Sequence, residues 1–216
     1  MPTLRDIEDC FLACPDRLAA IRLLALLGRQ REYWLDVEIA RCLRDAGGEE
    51  WWMQVAPHKG SRKRVDLYTA QHAPPVAIET KAFYIGRQAV RYLEQAALQK
   101  GQEATWALTC SDYVGQCVAD ARKLATEITG GMRRYVLVFA YPATGVDRAD
   151  ARELTRMVNE RADGVFAVRL ERFRASAARE LATIRLRVEP RSPQRAATLG
   201  SHKPRTPHGL QRPLAR

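Results

Sequence analysis

The stretch "KRVDLYTAQHAPPVAIETKAF", residues 63–83, contains two apolar-leaning runs separated by a turn signal. Asp66 lies in the first run, and Glu79 and Lys81 lie two residues apart in the second. Successive side chains of a strand point to opposite faces, so Glu79 and Lys81 share one face. A hairpin turn centred just after His72 sets Asp66 directly opposite Glu79, with their Cβ atoms about 4.5–5.5 Å apart. The stretch therefore predicts two carboxylates and one ammonium group side by side on one face of a sheet.

Two carboxylates in directly opposed positions repel each other, so this arrangement needs compensation. Either a cation lies between the acids, or one acid stays protonated because its pKa is raised. Carboxylate oxygens suit Mg²⁺, which usually keeps several of its waters. The main-chain carbonyl of Thr80 is a further candidate oxygen ligand at the strand edge. On residue types alone, a surface salt bridge among Asp66, Glu79 and Lys81 explains the same pattern.

The order of the predicted elements places this hairpin inside one α/β domain that spans residues 1–190. Residues 3–46 show helical periodicity, and the last of these helices carries Leu35, Ile39 and Cys42 on its apolar face. Glu38 lies on the flank of that face. Three strands, at residues 51–57, 62–70 and 74–84, follow this helix, and then come helices at 87–100 and 111–131, a strand at 133–142, a helix at 147–164 and two strands. This order predicts a mixed sheet covered by helices.

Asp66, a hairpin-length gap and then "ETK" at residues 79–81, behind a helix that bears Glu38, resembles the PD-(D/E)xK, or restriction-endonuclease-like, nuclease superfamily. The resemblance implies a restriction-endonuclease-like core at about residues 31–140, with a central mixed sheet flanked by helices on both faces. It implies that Asp66 and Glu79, with Thr80, are metal ligands for Mg²⁺, for which Mn²⁺ can substitute. Lys81 becomes the catalytic lysine and Glu38 an accessory carboxylate. Val65 stands where the family name has proline.

The expected function is therefore metal-dependent hydrolysis of phosphodiester bonds, with DNA preferred over RNA as the substrate. Two alternatives stay open: a catalytically inactive nucleic-acid-binding module of the same fold, and an RNA-directed nuclease of the toxin type. No base-reading motif distinguishes DNA from RNA. A homodimer is compatible with the sequence.

Six further residues are candidates for contacts with nucleic acid. A basic loop precedes Asp66, and its charges suit phosphates. The segment "QAVRY" matches the Q-x-x-x-Y pattern of the exonuclease-like branch of the superfamily, with both polar side chains on one helical face. The candidates are Lys59, Arg62, Lys63, Arg64, Gln88 and Tyr92.

Composition places the chain among soluble, cytoplasmic proteins. Of its 216 residues, 46 % are hydrophobic and 28 % charged, and no run is long and apolar enough for a membrane helix. The five cysteines include no C-x-x-C pair, which argues against a disulfide framework or a zinc ribbon.

Residues 191–216 contain six basic residues and no acidic residue, within a net charge of +10 for the chain. This proline-containing segment has too few large apolar residues to fold alone, so it is expected to be a flexible basic arm. Such an arm can hold a polyanion through phosphate contacts. A merely solvated or appended tail explains its composition equally well.

Overall fold

The structure is a computed structural model that describes residues 8–9, 11–14, 16–17, 19–21, 31–47, 50–57, 63–84, 111–128, 130–141, 143, 146–177 and 181–191. Its helices and strands follow one another in the order expected from the sequence. They are α1 (Arg31–Gly47), β1 (Trp52–Val55), β2 (Val65–Thr69), β3 (Val76–Tyr84), α2 (Ser111–Thr126), β4 (Arg133–Tyr141), α3 (Arg148–Glu160), β5 (Phe166–Ala175) and β6 (Ala182–Pro190). The helix expected at residues 87–100 lies outside the described residues.

The six strands form one mixed sheet in the order β1-β2-β3-β4-β6-β5. Strands β3 and β4 are parallel, and every other neighbouring pair is antiparallel. A parallel connection needs a crossover, and the chain from β3 to β4 includes α2. The α/β class and the mixed sheet are thus confirmed.

The hairpin of β2 and β3 has the register expected from its turn. Leu67 pairs with Ile78, and Thr69 pairs with Val76. Continuing this register by one residue sets Asp66 opposite Glu79, although the paired part of the ladder ends at Leu67. The predicted alignment of the two strands is therefore confirmed as far as the pair of Leu67 and Ile78, whose members are the chain neighbours of Asp66 and Glu79.

Helices cover both faces of the sheet, and β4 is therefore buried on both sides. Tyr135, Leu137 and Phe139 pack in one apolar cluster with residues of α1. Val136 and Val138 point the other way, into a second cluster with residues of α2 and α3. Burying each such large side chain stabilises the fold by about 1.5–3 kcal/mol. We call these the α1 face and the α2 face of the sheet.

None of the helices within the described ranges is long and apolar enough to cross a membrane. Cys42 and Cys117 are buried thiols, as expected for residues that fill the core.

A buried ion-pair network ties helical residues near the N-terminus to β5 and β6. Glu8 is 1 % exposed, and its carboxylate lies 3.3 Å from Arg185 Nη1 and 3.5 Å from Arg172 Nε. Burial raises the pKa of Glu8 to about 7, although both guanidinium groups act to lower it. The free-energy cost of burying the ionised carboxylate is thus larger than the stabilisation that the two arginines supply.

We expect Glu8 to make the protein less stable as the pH rises. Between its ordinary pKa of 4.5 and the folded value of about 7, the folded state holds a proton that the unfolded state has released. The contribution of Glu8 is therefore fully present below about pH 4.5 and is lost as the pH rises through about 7. Glu8→Gln should remove about 2–3 kcal/mol of the fall in unfolding free energy between pH 5 and pH 8, measured by urea denaturation.

Asp9→Asn is the matched control, because Asp9 pairs with the same Arg172 but its side chain is 54 % exposed. This variant should keep most of the pH dependence of the wild type, because Asp9 raises the pKa of Glu8 much less than burial does. Equal pH slopes for Glu8→Gln and the wild type would contradict the assignment.

Candidate functional site

Four charged side chains meet between β3 and α2 on the α2 face of the sheet. Lys81 Nζ lies 3.0 Å from Asp120 Oδ2, and Lys123 Nζ lies 2.6 Å from Glu79 Oε1. Asp66 is close enough for its charge to raise the pKa of both Glu79 and Asp120. We call these five residues the charge cluster. The structure thus brings together the three charged residues of the opening stretch.

Helix α2 supplies two of the five residues of the charge cluster because of its periodicity. Cys117, Ala121 and Leu124 are buried against the sheet. Asp120 and Lys123 are three residues apart and therefore share one side of the helix, next to this buried stripe. From there, their side chains reach the charged residues of β3.

The backbone of β1 reverses its alternation at Gln54. Met53 packs on the α1 face, yet Val55, two residues later, packs on the α2 face. Two residues so spaced in a regular strand share a face. Gln54 between them has a φ of 50°, a left-handed conformation that costs a non-glycine residue of order 1 kcal/mol.

Strand β2 shows the same reversal at Asp66, since Val65 packs on the α2 face and Leu67 on the α1 face. The reversal leaves the Asp66 carboxylate between two strands. Its Oδ1 accepts a hydrogen bond of 2.7 Å from Gln54 Nε2, and its Oδ2 accepts one of 2.9 Å from the main-chain amide of Thr80. Asp66 is therefore held rigidly beside β3 by donors on both sides.

The electrostatics of the charge cluster favour an additional cation. Glu79 is 2 % exposed, and burial raises its pKa to about 8. The negative charge of Asp66 adds to this shift, while Lys123 opposes it. The pKa of Asp120 is also raised, chiefly by burial, against the effect of Lys81. With all groups ionised, the charge cluster holds three carboxylates and two ammonium groups.

Asp66 and Glu79 fit a magnesium ion of the kind that keeps most of its waters. Within the part of the chain that the structure describes, no group of three or more His, Cys, Asp or Glu side chains is arranged around one metal position. Mg²⁺ is commonly bound through one or two carboxylates, and the undercompensated charge of Glu79 suits a cation. The amide of Thr80 points to Asp66, and the amide and carbonyl of one strand residue point to the same side. The Thr80 carbonyl therefore faces the edge at which Asp66 lies.

The helix carboxylate that reaches these residues is Asp36 rather than Glu38. Asp36 is 1 % exposed, and its Oδ1 accepts a hydrogen bond of 2.5 Å from Thr80 Oγ1. Glu38 instead forms ion pairs with Arg17 at 3.2 Å and with Arg41 at 3.1 Å. Asp36 lies next to Leu35 and three residues before Ile39, so it belongs to the apolar stripe of α1. An acid at a position of a buried stripe was the sequence signal that could have identified this residue.

The predicted nucleic-acid contacts are only partly described. Lys63 and Arg64 are exposed, and Lys63 Nζ lies 3.3 Å from Glu127 Oε2 of the segment after α2. Lys59, Arg62, Gln88 and Tyr92 lie outside the described residues, as do residues 192–216 of the basic arm.

No protein-family model, no curated protein and no solved structure matches this chain. The class of the protein rests on its own topology: it is an α/β protein with a six-stranded mixed sheet and a charge cluster at the third strand.

Removing the hydroxyl group of Thr80 should destabilise the fold. In Thr80→Val, the buried Asp36 loses the donor at 2.5 Å and the shape of the side chain is kept. A buried acceptor that loses its donor costs about 1–3 kcal/mol, which urea denaturation measures.

Thr69→Val is the control, because Thr69 is also fully buried but its hydroxyl accepts a longer, 3.2 Å bond from the partly exposed amide of Gln71. Thr69→Val should lower the unfolding free energy clearly less than Thr80→Val does. Equal losses of unfolding free energy in the two variants would show that the hydrogen bond between Thr80 and Asp36 contributes no extra stability.

Proposed function

We propose that the protein is a metal-dependent nuclease with a restriction-endonuclease-like core, and that it hydrolyses phosphodiester bonds, with DNA as its substrate. The observation that carries the proposal is the charge cluster. Asp66 and the buried Glu79 stand on neighbouring strands, and Lys81 projects from β3 on the same face as Glu79. This arrangement supports the resemblance to the PD-(D/E)xK superfamily, in which an acid on one strand precedes an acid-x-Lys run on the next.

In this proposal, Asp66, Glu79 and the Thr80 carbonyl hold Mg²⁺. When bound, the ion lowers the pKa of water and offsets the negative charge of the attacked phosphate. Asp66 is already oriented for this role by Gln54 and by the Thr80 amide.

Lys81 is the catalytic lysine of the proposal. Its ammonium group stabilises the negative charge that develops on the phosphate oxygens during attack. Asp120 is a positioning residue, because its contact at 3.0 Å fixes the Lys81 side chain, which is only 12 % exposed. A fixed donor costs little reorganisation when the reaction occurs.

Asp36 takes the place of the accessory carboxylate that the resemblance assigned to Glu38. It acts through Thr80, whose hydroxyl donates to Asp36 and also lies 3.4 Å from Asp66 Oδ2. Asp36 therefore positions the backbone segment that carries the proposed ligands.

A non-cutting nucleic-acid-binding module is the second candidate, and one observation favours it. Asp66 accepts hydrogen bonds from Gln54 and Thr80, and Glu79 is paired with Lys123. A polar cluster that only stabilises the fold shows the same kind of contacts, as is expected of a protein that keeps this fold without cleaving nucleic acid.

We expect Mg²⁺-dependent cleavage that the charge cluster controls. Purified protein should cut plasmid and linear DNA with Mg²⁺ or Mn²⁺, and EDTA should abolish cutting. Asp66→Asn, Glu79→Gln and Lys81→Met should each reduce the cleavage rate at least about a hundredfold, as the loss of a transition-state contact does. Lys81→Met should still show a Mg²⁺-induced thermal shift, because an ammonium group is not a metal ligand.

Glu38→Gln is the matched control, since Glu38 pairs with Arg17 and Arg41 and belongs to the same helix as Asp36. It should retain cleavage within a few-fold of the wild type. Nucleic-acid binding without cleavage under any metal condition would favour the second candidate, and cleavage of RNA alone would replace DNA as the substrate.

The basic arm should contribute affinity rather than folding. Deleting residues 191–216 removes six basic side chains, so up to six phosphate contacts are lost. The slope of log affinity against log salt concentration should become shallower by up to about 5, because each contact contributes about 0.9. Fluorescence anisotropy with a labelled DNA duplex measures this slope, and an unchanged slope with unchanged affinity would exclude the arm as a binding element.

A further inference from the structure

Glu79 and Lys123 form the closest contact of the charge cluster. Lys123 Nζ lies 2.6 Å from Glu79 Oε1, and the side chains are 26 % and 3 % exposed, respectively. The carboxylate is thus deeply buried, while the ammonium group approaches it from the partly solvated side. This geometry resembles a cation bound at a buried anionic site.

Within the charge cluster, Lys123 forms an ion pair with Glu79. Lys81 is oriented towards Asp120, and Asp66 takes its hydrogen bonds from the uncharged groups of Gln54 and Thr80. Within the part of the chain that the structure describes, Lys123 is therefore the cation nearest to the carboxylate that would bind a metal. It offsets the strain of burying Glu79 close to Asp66.

We propose that Lys123 is a tethered competitor for the metal: its ammonium group occupies the cation position beside Glu79 in the metal-free protein and leaves when a divalent ion binds. The inference rests on the proposed metal site. An ammonium group and a divalent cation at the same carboxylate repel each other, and this repulsion is strong where water is largely excluded. The metal affinity of the site is then set by a competition inside the protein.

The position of Lys123 suits such a displacement. Its flexible four-carbon stem lets the ammonium group move towards water without any change in the backbone. Lys123 also lies in the last turn of α2, where a positive charge is favoured by the helix dipole even after its contact with Glu79 is broken. In the metal-free site Lys123 offsets the charge of Glu79, and in the metal-bound site the metal takes over this role.

The first test is the reactivity of Lys123 in the wild-type protein. N-hydroxysuccinimidyl acetate acylates the unprotonated amine, and mass spectrometry of the peptides should show Lys123 modified severalfold faster in saturating Mg²⁺ than in EDTA, because the amine released from Glu79 becomes accessible to the reagent. In Glu79→Gln, Lys123 should react fast in EDTA and should not respond to Mg²⁺. A Lys123 reactivity that Mg²⁺ leaves unchanged or lowers in the wild type would overturn the proposal, provided that Mg²⁺ binds.

The second test is metal affinity, measured by isothermal titration calorimetry with Mg²⁺ at pH 8.5, where protons compete less for carboxylates. Lys123→Met should bind Mg²⁺ about tenfold more tightly than the wild type, since tenfold corresponds to losing a competing contact of 1.4 kcal/mol. Arg122→Met removes the same charge from the adjacent position of α2, where the side chain pairs with Asp163. It should bind Mg²⁺ within about twofold of the wild type, as an exposed pair has little effect at a distance.

The two tests separate this inference from the function on which it rests. Mg²⁺ binding that Glu79→Gln abolishes, together with equal affinities of Lys123→Met and the wild type, overturns the competitor role and leaves the metal site standing. Absence of Mg²⁺ binding in the wild type and in Lys123→Met overturns the metal site and the competitor role together.

Discussion

The parallel pairing of β3 with β4 is the constraint on which the site depends. Nine consecutive residue pairs, from Val76–Arg133 to Tyr84–Tyr141, hold β3 in place. A slip by one residue would turn Glu79 and Lys81 to the α1 face and Thr80 to the α2 face. The charge cluster would then lose its contacts with α2, and Asp36 would lose Thr80. The register of one ladder thus controls both sides of the site.

Much of the fold could be predicted because local patterns and global packing agree. The continuous apolar run of β4 indicated a strand buried on both faces, and each of its central residues is buried. The hairpin register followed from the position of one turn, and the pairs of Leu67 and Thr69 confirm it. These features depend on residues that are close in sequence, so no tertiary information was needed.

The helix contributions to the site could not be predicted in the same way. Asp120 and Lys123 enter it because α2 docks on β3, and the sequence pattern of α2 shows only an amphipathic helix with charges beside its apolar stripe. Many helices carry such charges without any partner. The exchange of Glu38 for Asp36 has a related cause. The helical angles of α1 favoured Glu38, which lies on the flank of its apolar stripe. The helix instead buries Asp36, an acid within the stripe, because the hydroxyl of Thr80 donates a hydrogen bond to it.

The left-handed residue in β1 has a consequence for how copies of the protein meet. Among the described residues, strand β1 is at one edge of the sheet, and an edge strand is the place where a strand of another molecule can add. It is four residues long, and Gln54 interrupts its pleat. The opposite edge strand, β5, has a register shift between Leu170 and Arg172. Both borders of the sheet are thus poor templates for intermolecular β-pairing, which protects a chain with so apolar a central strand from aggregation.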